Sequence, residues 1–232
     1  MAGSTDATDS IESTATTEST ASTDTAAMSE YGRRAIHASG VGIPAIYLLG
    51  ILTWTELRYF MLAVTGVVFT LEFLRLVVGL THWIYDTVTR SYEQESIAGY
   101  AFYMLSMTAV AVIFGPAVTI PAMLMLILGD PISGELGDNA ADEHKRPAVI
   151  AATVAVCFGL AVPFTVAGST LGVGAAAAAV GALFGAVADG IKPIIGGVAV
   201  DDNLTIPPVA AAGIVVTFWL LGVDTGFDPL WV

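Results

Sequence analysis

Runs of apolar residues near the length of a bilayer crossing recur along this chain, and they limit its fold more than any other feature. A helix needs about 20 predominantly apolar residues to cross the hydrocarbon core. Seven such segments can be drawn, at 35–53, 57–79, 97–114, 116–129, 147–166, 170–188 and 205–223. The fourth is short; it either extends into the following GDPISGELG or forms a half-helix lining a cavity. Of the 232 residues, 55% are hydrophobic and only 12% charged, with a mean hydropathy of +0.77. A soluble domain carries about 25% charged residues, so a bilayer is the only environment that accommodates this much apolar chain. The expected fold is all-α: a polytopic membrane helix bundle of about seven transmembrane helices.

The basic residues test that count. With seven spans, Arg33, Arg34, Arg90, Lys145, Arg146 and Lys192 all fall on one side, and the other side receives Arg58 alone. Loops on the cytoplasmic side are the ones enriched in Lys and Arg. The N-terminus is therefore expected inside and the C-terminus outside, in a multi-pass protein of the cell membrane. Net charge is −13. Residues 1–30 hold Asp6, Asp9, Glu12, Glu18, Asp24 and Glu30 with no base, and are otherwise rich in Ser, Thr and Ala. Such a segment buries too little apolar surface to order itself, and it lacks the basic start and apolar run of a secretory signal. The chain thus divides into a disordered acidic tail, 1–30, and a transmembrane domain, 31–232. The acidic excess argues against nucleic acid as a partner, and with only two lysines it points to a halophilic source. A single cysteine, Cys157, permits no internal disulfide.

Residues able to do chemistry gather on the predicted inner side. Arg33, Arg34 and His37 share a helical face at the entry of the first span, where they either hold a phosphate or anchor the span as positive-inside residues. In Gly129-Asp130-Pro131-Ile132-Ser133-Gly134-Glu135-Leu136-Gly137, Asp130 closes an apolar run. A helix continuing there would align Asp130, Ser133, Gly134 and Gly137, with glycines that admit a phosphate to the backbone. Asp-Pro also reads as an N-cap and first helical position. Oxygen ligands of this kind suit Mg²⁺, which takes one or two carboxylates plus substrate phosphates. Lys145 and Arg146 follow an acidic loop and either hold phosphate or mark the inner edge. Asp189, Lys192, Asp201, Asp202 and Asn203 crowd the segment between the last two spans, where carboxylates at a membrane edge are costly without a task. Glu72 and Arg75 lie within the second span, either as a functional pair or as an internal ion pair with Arg75 reaching the surface. Gly181 and Gly185, with Ala178, read as a packing face. No Walker A sequence, dinucleotide-binding glycine motif, HExxH, cysteine pair or nucleophile elbow is present.

RRAIHASG, EFLR, GDPISGELG and DDNLTIP occur in the order of the motifs of the dolichol kinase family, which the chain resembles from about Arg33 to Pro207. That family is polytopic and includes CTP-dependent polyprenol, phytol and diacylglycerol kinases; haloarchaeal members look especially similar. The resemblance implies a catalytic domain at 31–232 that moves the γ-phosphate of CTP to the hydroxyl of a membrane lipid alcohol, with Mg²⁺, at the cytoplasmic face. Residue by residue it points to Arg34 and His37, to Asp130 with Gly134 and Gly137, and to Asp202 and Asn203. Taken with the reading of the residues themselves, this gives Asp130, Asp202 and His37 as catalytic, Asp130, Asp202 and Asp189 as metal ligands, and Arg33, Arg34, Ser133, Gly134, Gly137, Lys145, Lys192 and Asn203 as contacts to the nucleotide. The chain departs from the family where Lys145 leads into Arg146-Pro147-Ala148 instead of Ser or Thr and then Glu-Gly, and where Asp189 replaces a common Glu. These departures leave open a related reaction, cytidylyl transfer to a phospholipid. A small transporter or membrane scaffold is the non-enzyme alternative, but a transporter is expected to carry polar residues near mid-membrane, and here they sit at one edge.

Overall fold

A computed structural model describes residues 32, 35–80, 82, 85, 89, 93–137, 144–191, 194–195, 198–224 and 226–231. The acidic tail, Arg33, Arg34, Arg90, Asp138 and Lys192 lie outside the described residues. The described chain is a helical bundle. A helical turn at 35–39 leads into α1 (Gly42–Leu48), followed by α2 (Trp54–Phe73) and α3 (Gly99–Ile113). Then come α4 (Pro116–Leu124), α5 (Asp130–Leu136), α6 (Pro147–Ala167), α7 (Leu171–Gly190) and α8 (Asp202–Leu220). The only strands among the described residues, β1 (Ile194–Ile195) and β2 (Val198–Ala199), form a two-residue antiparallel ladder between α7 and α8.

Among the described residues, five helices are long and apolar enough to cross a membrane: Trp54–Val78, Pro116–Leu136, Pro147–Ala167, Leu171–Gly190 and Asp202–Leu220. Two of the seven expected spans fall short. Ala35–Leu48 is interrupted by a turn at Gly40–Val41, and α3 has 15 residues, about 22 Å at 1.5 Å per residue, against a core of about 30 Å. The helix through Pro116–Leu136 is central, with 67% of its apolar stretch buried, whereas α2 is peripheral, with 11%. The outward side chains of α2, among them Phe60, Val67 and Phe73, are exposed and apolar, as a lipid-facing surface requires. The core gathers around the central helix: Met123, Met125, Leu126 and Ile127 are fully buried with Met107, Ile206, Ile214 and Phe218.

Local sequence explains the main boundaries. Thr53 and Glu56 form a reciprocal capping box at the start of α2. The small residues of α7 do what their spacing suggests: a Cβ on Gly181 would strike Ile214 of α8, and one on Gly185 would sit 3.0 Å from Met125 Sδ and 3.4 Å from Ala210 Cβ. Glycines there bring α7 against both α8 and the central helix. Across α2 and α3, the hydroxyls of Thr65 and Thr108 share a buried hydrogen bond of 2.7 Å.

At the end of the bundle where α3 finishes, the C-terminal segment is stitched to the chain. Asp228 N–H donates to the Ile113 carbonyl at 3.1 Å and Leu230 N–H to Val112 at 2.8 Å, closing carbonyls that the last turn of α3 leaves open. Arg58, 3% exposed, donates to the Asp228 carboxylate and carbonyl, each at 2.5 Å, and stacks on Trp54. The base expected to stand alone on its side is therefore paired.

Glu72 and Arg75 form an internal ion pair, and Arg75 does not reach for the surface. It bonds the Glu72 carboxylate at 2.5 Å and 3.1 Å and donates to the carbonyls of Glu93, Gln94 and Ser96. Glu72 also accepts the Ala98 N–H at 2.8 Å and the Tyr100 hydroxyl. The pair is used in fastening the loop that enters α3.

Candidate metal centre

Proline chemistry shapes the site before any side chain is considered. Asp130-Pro131 does not begin a helix here. The helix from Pro116 runs on through Asp130, whose φ of −63° and ψ of −50° are helical, to Leu136. A residue before proline is normally pushed out of the α region. The chain accommodates it with a π turn over Met125–Gly129, in which the Asp130 N–H donates to Met125, five residues back. Such one-turn widenings are common at functional sites. Asp130 thus lies about 9 Å inside the end of its helix, at 1.5 Å per residue, and not at the end of the span.

Two more acids arrive from neighbouring helices. Asp189 is the penultimate residue of α7 and Asp202 the first of α8. Asp130, Asp189 and Asp202 each bring a carboxylate oxygen into one group in which the oxygens lie within 4.8 Å of one another. Asp189 and Asp202 are buried and Asp130 is half-buried. Asp201 takes a different part: it is the N-cap of α8, and its carboxylate accepts the Asn203 N–H at 2.9 Å and the Asn203 side-chain amide at 2.8 Å.

Lys145 is the cation of the cluster. Its Nζ donates to Asp189 Oδ1 at 2.6 Å, Oδ2 at 2.8 Å and Ser133 Oγ at 2.8 Å. Ser133, fully buried, donates in turn to Asp189 Oδ2 at 2.6 Å and lies 2.9 Å from the Thr153 hydroxyl of α6. The Lys145 N–H also reaches the Gly190 carbonyl at 3.0 Å. Both Asp189 oxygens are thereby engaged, and Asp202 Oδ1 accepts the Asn203 N–H at 3.1 Å. His37 completes this end, with Nε2 3.8 Å from Asp130 Oδ2 and 2.9 Å from the Leu126 carbonyl.

The structure therefore unites Asp130, Ser133, Lys145, Asp189, Asp202 and His37 from five parts of the chain. Gly134 lies one turn beyond Asp130 within α5 and Gly137 just past its end, where the backbone turns extended. Asn203 is buried beside Asp202, and its side-chain oxygen has no hydrogen-bond partner among the described residues. Arg33, Arg34 and Lys192 lie outside the described residues. Sequence reading passed over Thr153, whose only signal is a hydroxyl in an Ala/Val-rich helix, and Tyr103, whose hydroxyl donates to the His37 carbonyl at 3.0 Å.

The donor set fits a hard divalent cation. Three carboxylates against one lysine leave about two negative charges, and oxygen ligands with phosphates completing the shell are what Mg²⁺ prefers. No family model, curated protein or solved structure matches the chain.

Proposed function

We propose that this protein is a membrane-embedded, CTP-dependent lipid kinase that transfers the γ-phosphate of CTP to the hydroxyl of an isoprenoid alcohol such as a polyprenol or dolichol. The observation that carries this reading is the convergence of Asp130, Asp189 and Asp202 with Lys145 at one end of an apolar bundle. Three carboxylates brought together where three apolar helices meet are costly without a cation. The motif order of the sequence supplies the reaction class.

Phosphoryl transfer asks the protein for position and charge more than for covalent chemistry. Asp130 and Asp202 would hold Mg²⁺, with Asp189 oriented by Lys145 and Ser133 at the edge of the set. The bound cation would neutralise the triphosphate. The lipid oxygen then forms a bond to the γ-phosphorus, the bond from that phosphorus to CDP breaks, and the hydroxyl proton is released. In this account the acidic end of the bundle faces the cytoplasm, where CTP is found, and the end carrying Arg58 and Asp228 faces outward. The basic residues Lys145 and Arg146 on the acidic side support that orientation. The two short helices would complete seven crossings.

Product analysis tests the reading. Purified protein in detergent, given γ-labelled CTP, Mg²⁺ and a panel of lipid alcohols, should yield labelled lipid phosphate and unlabelled CDP. Labelled pyrophosphate with a phospholipid acceptor would instead assign cytidylyl transfer. Neither product with any acceptor would remove the enzyme reading.

A further inference from the structure

Two helices lose a ladder hydrogen bond to a proline beside the acidic cluster, and each loss strands a carbonyl that its own helix cannot satisfy. In α8, Pro207 has no N–H to offer the Asn203 carbonyl four residues back, and Ser106 Oγ donates to it instead at 2.5 Å. On the central helix the Asp130 N–H is given to Met125, and Pro131 has none. The Leu126 carbonyl is therefore left without either donor that could reach it along the helix. It takes His37 Nε2–H at 2.9 Å, from 89 residues earlier in the chain.

A carbonyl oxygen only accepts, so His37 Nε2 carries a hydrogen and is committed to Leu126. That nitrogen cannot also serve as a base for a lipid hydroxyl. The imidazole is held on its other side: its ring meets Tyr103 edge-to-face at 4.6 Å, and the Tyr103 hydroxyl bonds the His37 backbone carbonyl. Gly40 makes this possible, because a Cβ there would collide with the Tyr103 hydroxyl. The anchored carbonyl is four residues before Asp130, and Nε2 itself lies 3.8 Å from Asp130 Oδ2.

We propose that His37 is a positioning residue: its Nε2–H closes the Leu126 carbonyl at the π turn and so fixes the direction in which Asp130 enters the cation site. The cation part of this inference rests on the functional reading above; the hydrogen bond does not. The N-terminal helical turn is thereby part of the site, although it contributes no ligand.

Wild type, His37→Gln and His37→Leu would be compared in detergent. Gln presents an N–H at nearly the reach of Nε2, whereas Leu keeps bulk and loses the donor. One readout is Mn²⁺ affinity by electron paramagnetic resonance. The other is the rate at which N-ethylmaleimide modifies Cys157, the chain's single cysteine, which is buried against Gly129 in the π turn. His37→Leu should weaken Mn²⁺ binding and speed Cys157 modification by about tenfold each, the scale of one buried hydrogen bond, with Gln within about threefold of wild type. Pro131→Ala returns an N–H to the helix, so in that background His37→Leu should lose most of its effect. That comparison also serves if the single Leu variant folds poorly. Unchanged Mn²⁺ affinity in His37→Leu would overturn the positioning role, as would equal damage from Gln and Leu. If wild type binds no Mn²⁺, the cation reading falls, and the Cys157 rates alone decide the hydrogen bond: fast for Leu and slow for Gln supports it, equal rates overturn it.

Discussion

Replacing Lys145 with Met should expose how the acidic cluster is balanced. Lys145 and Asp189 side chains are 8% and 3% exposed, with Nζ 2.6 Å from Oδ1. At an effective dielectric of about 20, two unit charges at that distance attract by about 6 kcal/mol, and desolvating both offsets most of it. Removing the lysine forfeits the attraction while the carboxylate stays buried, which costs about 3–5 kcal/mol. Ser133 also loses one of its donors. For a domain of this size, about 1 kcal/mol moves Tm by about 2–4 °C, so Lys145→Met should lower Tm by about 6–20 °C in the absence of divalent cations. Mg²⁺ should return more stability to the variant than to wild type, because three negative charges now face the cation where two did before. Lys145→Met with Asp189→Asn removes the stranded charge and should come within about 1 kcal/mol of wild type. Differential scanning fluorimetry in detergent, with and without Mg²⁺, measures all of this. A single variant as stable as wild type, or a double variant no better than the single, would refute the reasoning.

Arg58→Met should cost about 1–3 kcal/mol of stability by leaving carbonyls and the Asp228 carboxylate without their donor, while turnover by the surviving folded protein holds, since this contact is at the opposite end of the bundle; matched denaturation and activity measurements check both. Glu72→Gln should destabilise by about 3 kcal/mol through the buried Arg75 it leaves behind, with the 93–98 loop becoming the first site of limited proteolysis. Deleting residues 1–28 should leave folding and turnover nearly unchanged, as their composition predicts; a large loss of turnover in the truncated protein would assign that segment a role beyond solvation. A cysteine appended after Val232 should be labelled from outside intact cells, and labelling only after permeabilisation would reverse the proposed orientation.

The apolar segments and the small-residue face of α7 could both be read from the sequence, because each depends on local spacing. Asp130, Asp189, Asp202 and Lys145 stood out because ionisable residues are rare in so apolar a chain. That the carboxylates of Asp130 and Asp202 share one site was an expectation of the sequence, but the pairing of Asp189 with Lys145 was not legible. Asp189 and Lys145 are 44 residues apart, and nothing in either neighbourhood names the other. Asp130-Pro131 read either as a capped helix start or as part of a helix continuing from the fourth apolar segment; the structure has the second, with a π turn just before the proline. His37 read as part of a phosphate-binding face with Arg33 and Arg34, which lie outside the described residues; that its Nε2 also bonds the Leu126 carbonyl was not legible. A stranded carbonyl has no sequence signature beyond the proline four or five residues later. The shortness of α3 was likewise hidden, because its apolar run extends past the helix into Phe114 and the Gly115 turn.

Substituting the two carboxylates proposed to hold the cation tests the central claim most directly. Asn keeps an oxygen and nearly the size of Asp but lacks the charge. Asp130→Asn and Asp202→Asn should each lower kcat for transfer of the γ-phosphate of CTP to lipid by at least about a hundredfold, a loss of about 3 kcal/mol in the transition state. KM for the lipid should change little. Glu135→Gln, an exposed acid of the same helix as Asp130, should retain wild-type turnover. If Asp130→Asn turns over like wild type across Mg²⁺ concentrations, or if Glu135→Gln is as damaging as the other two, the carboxylate cluster is not the catalytic cation site.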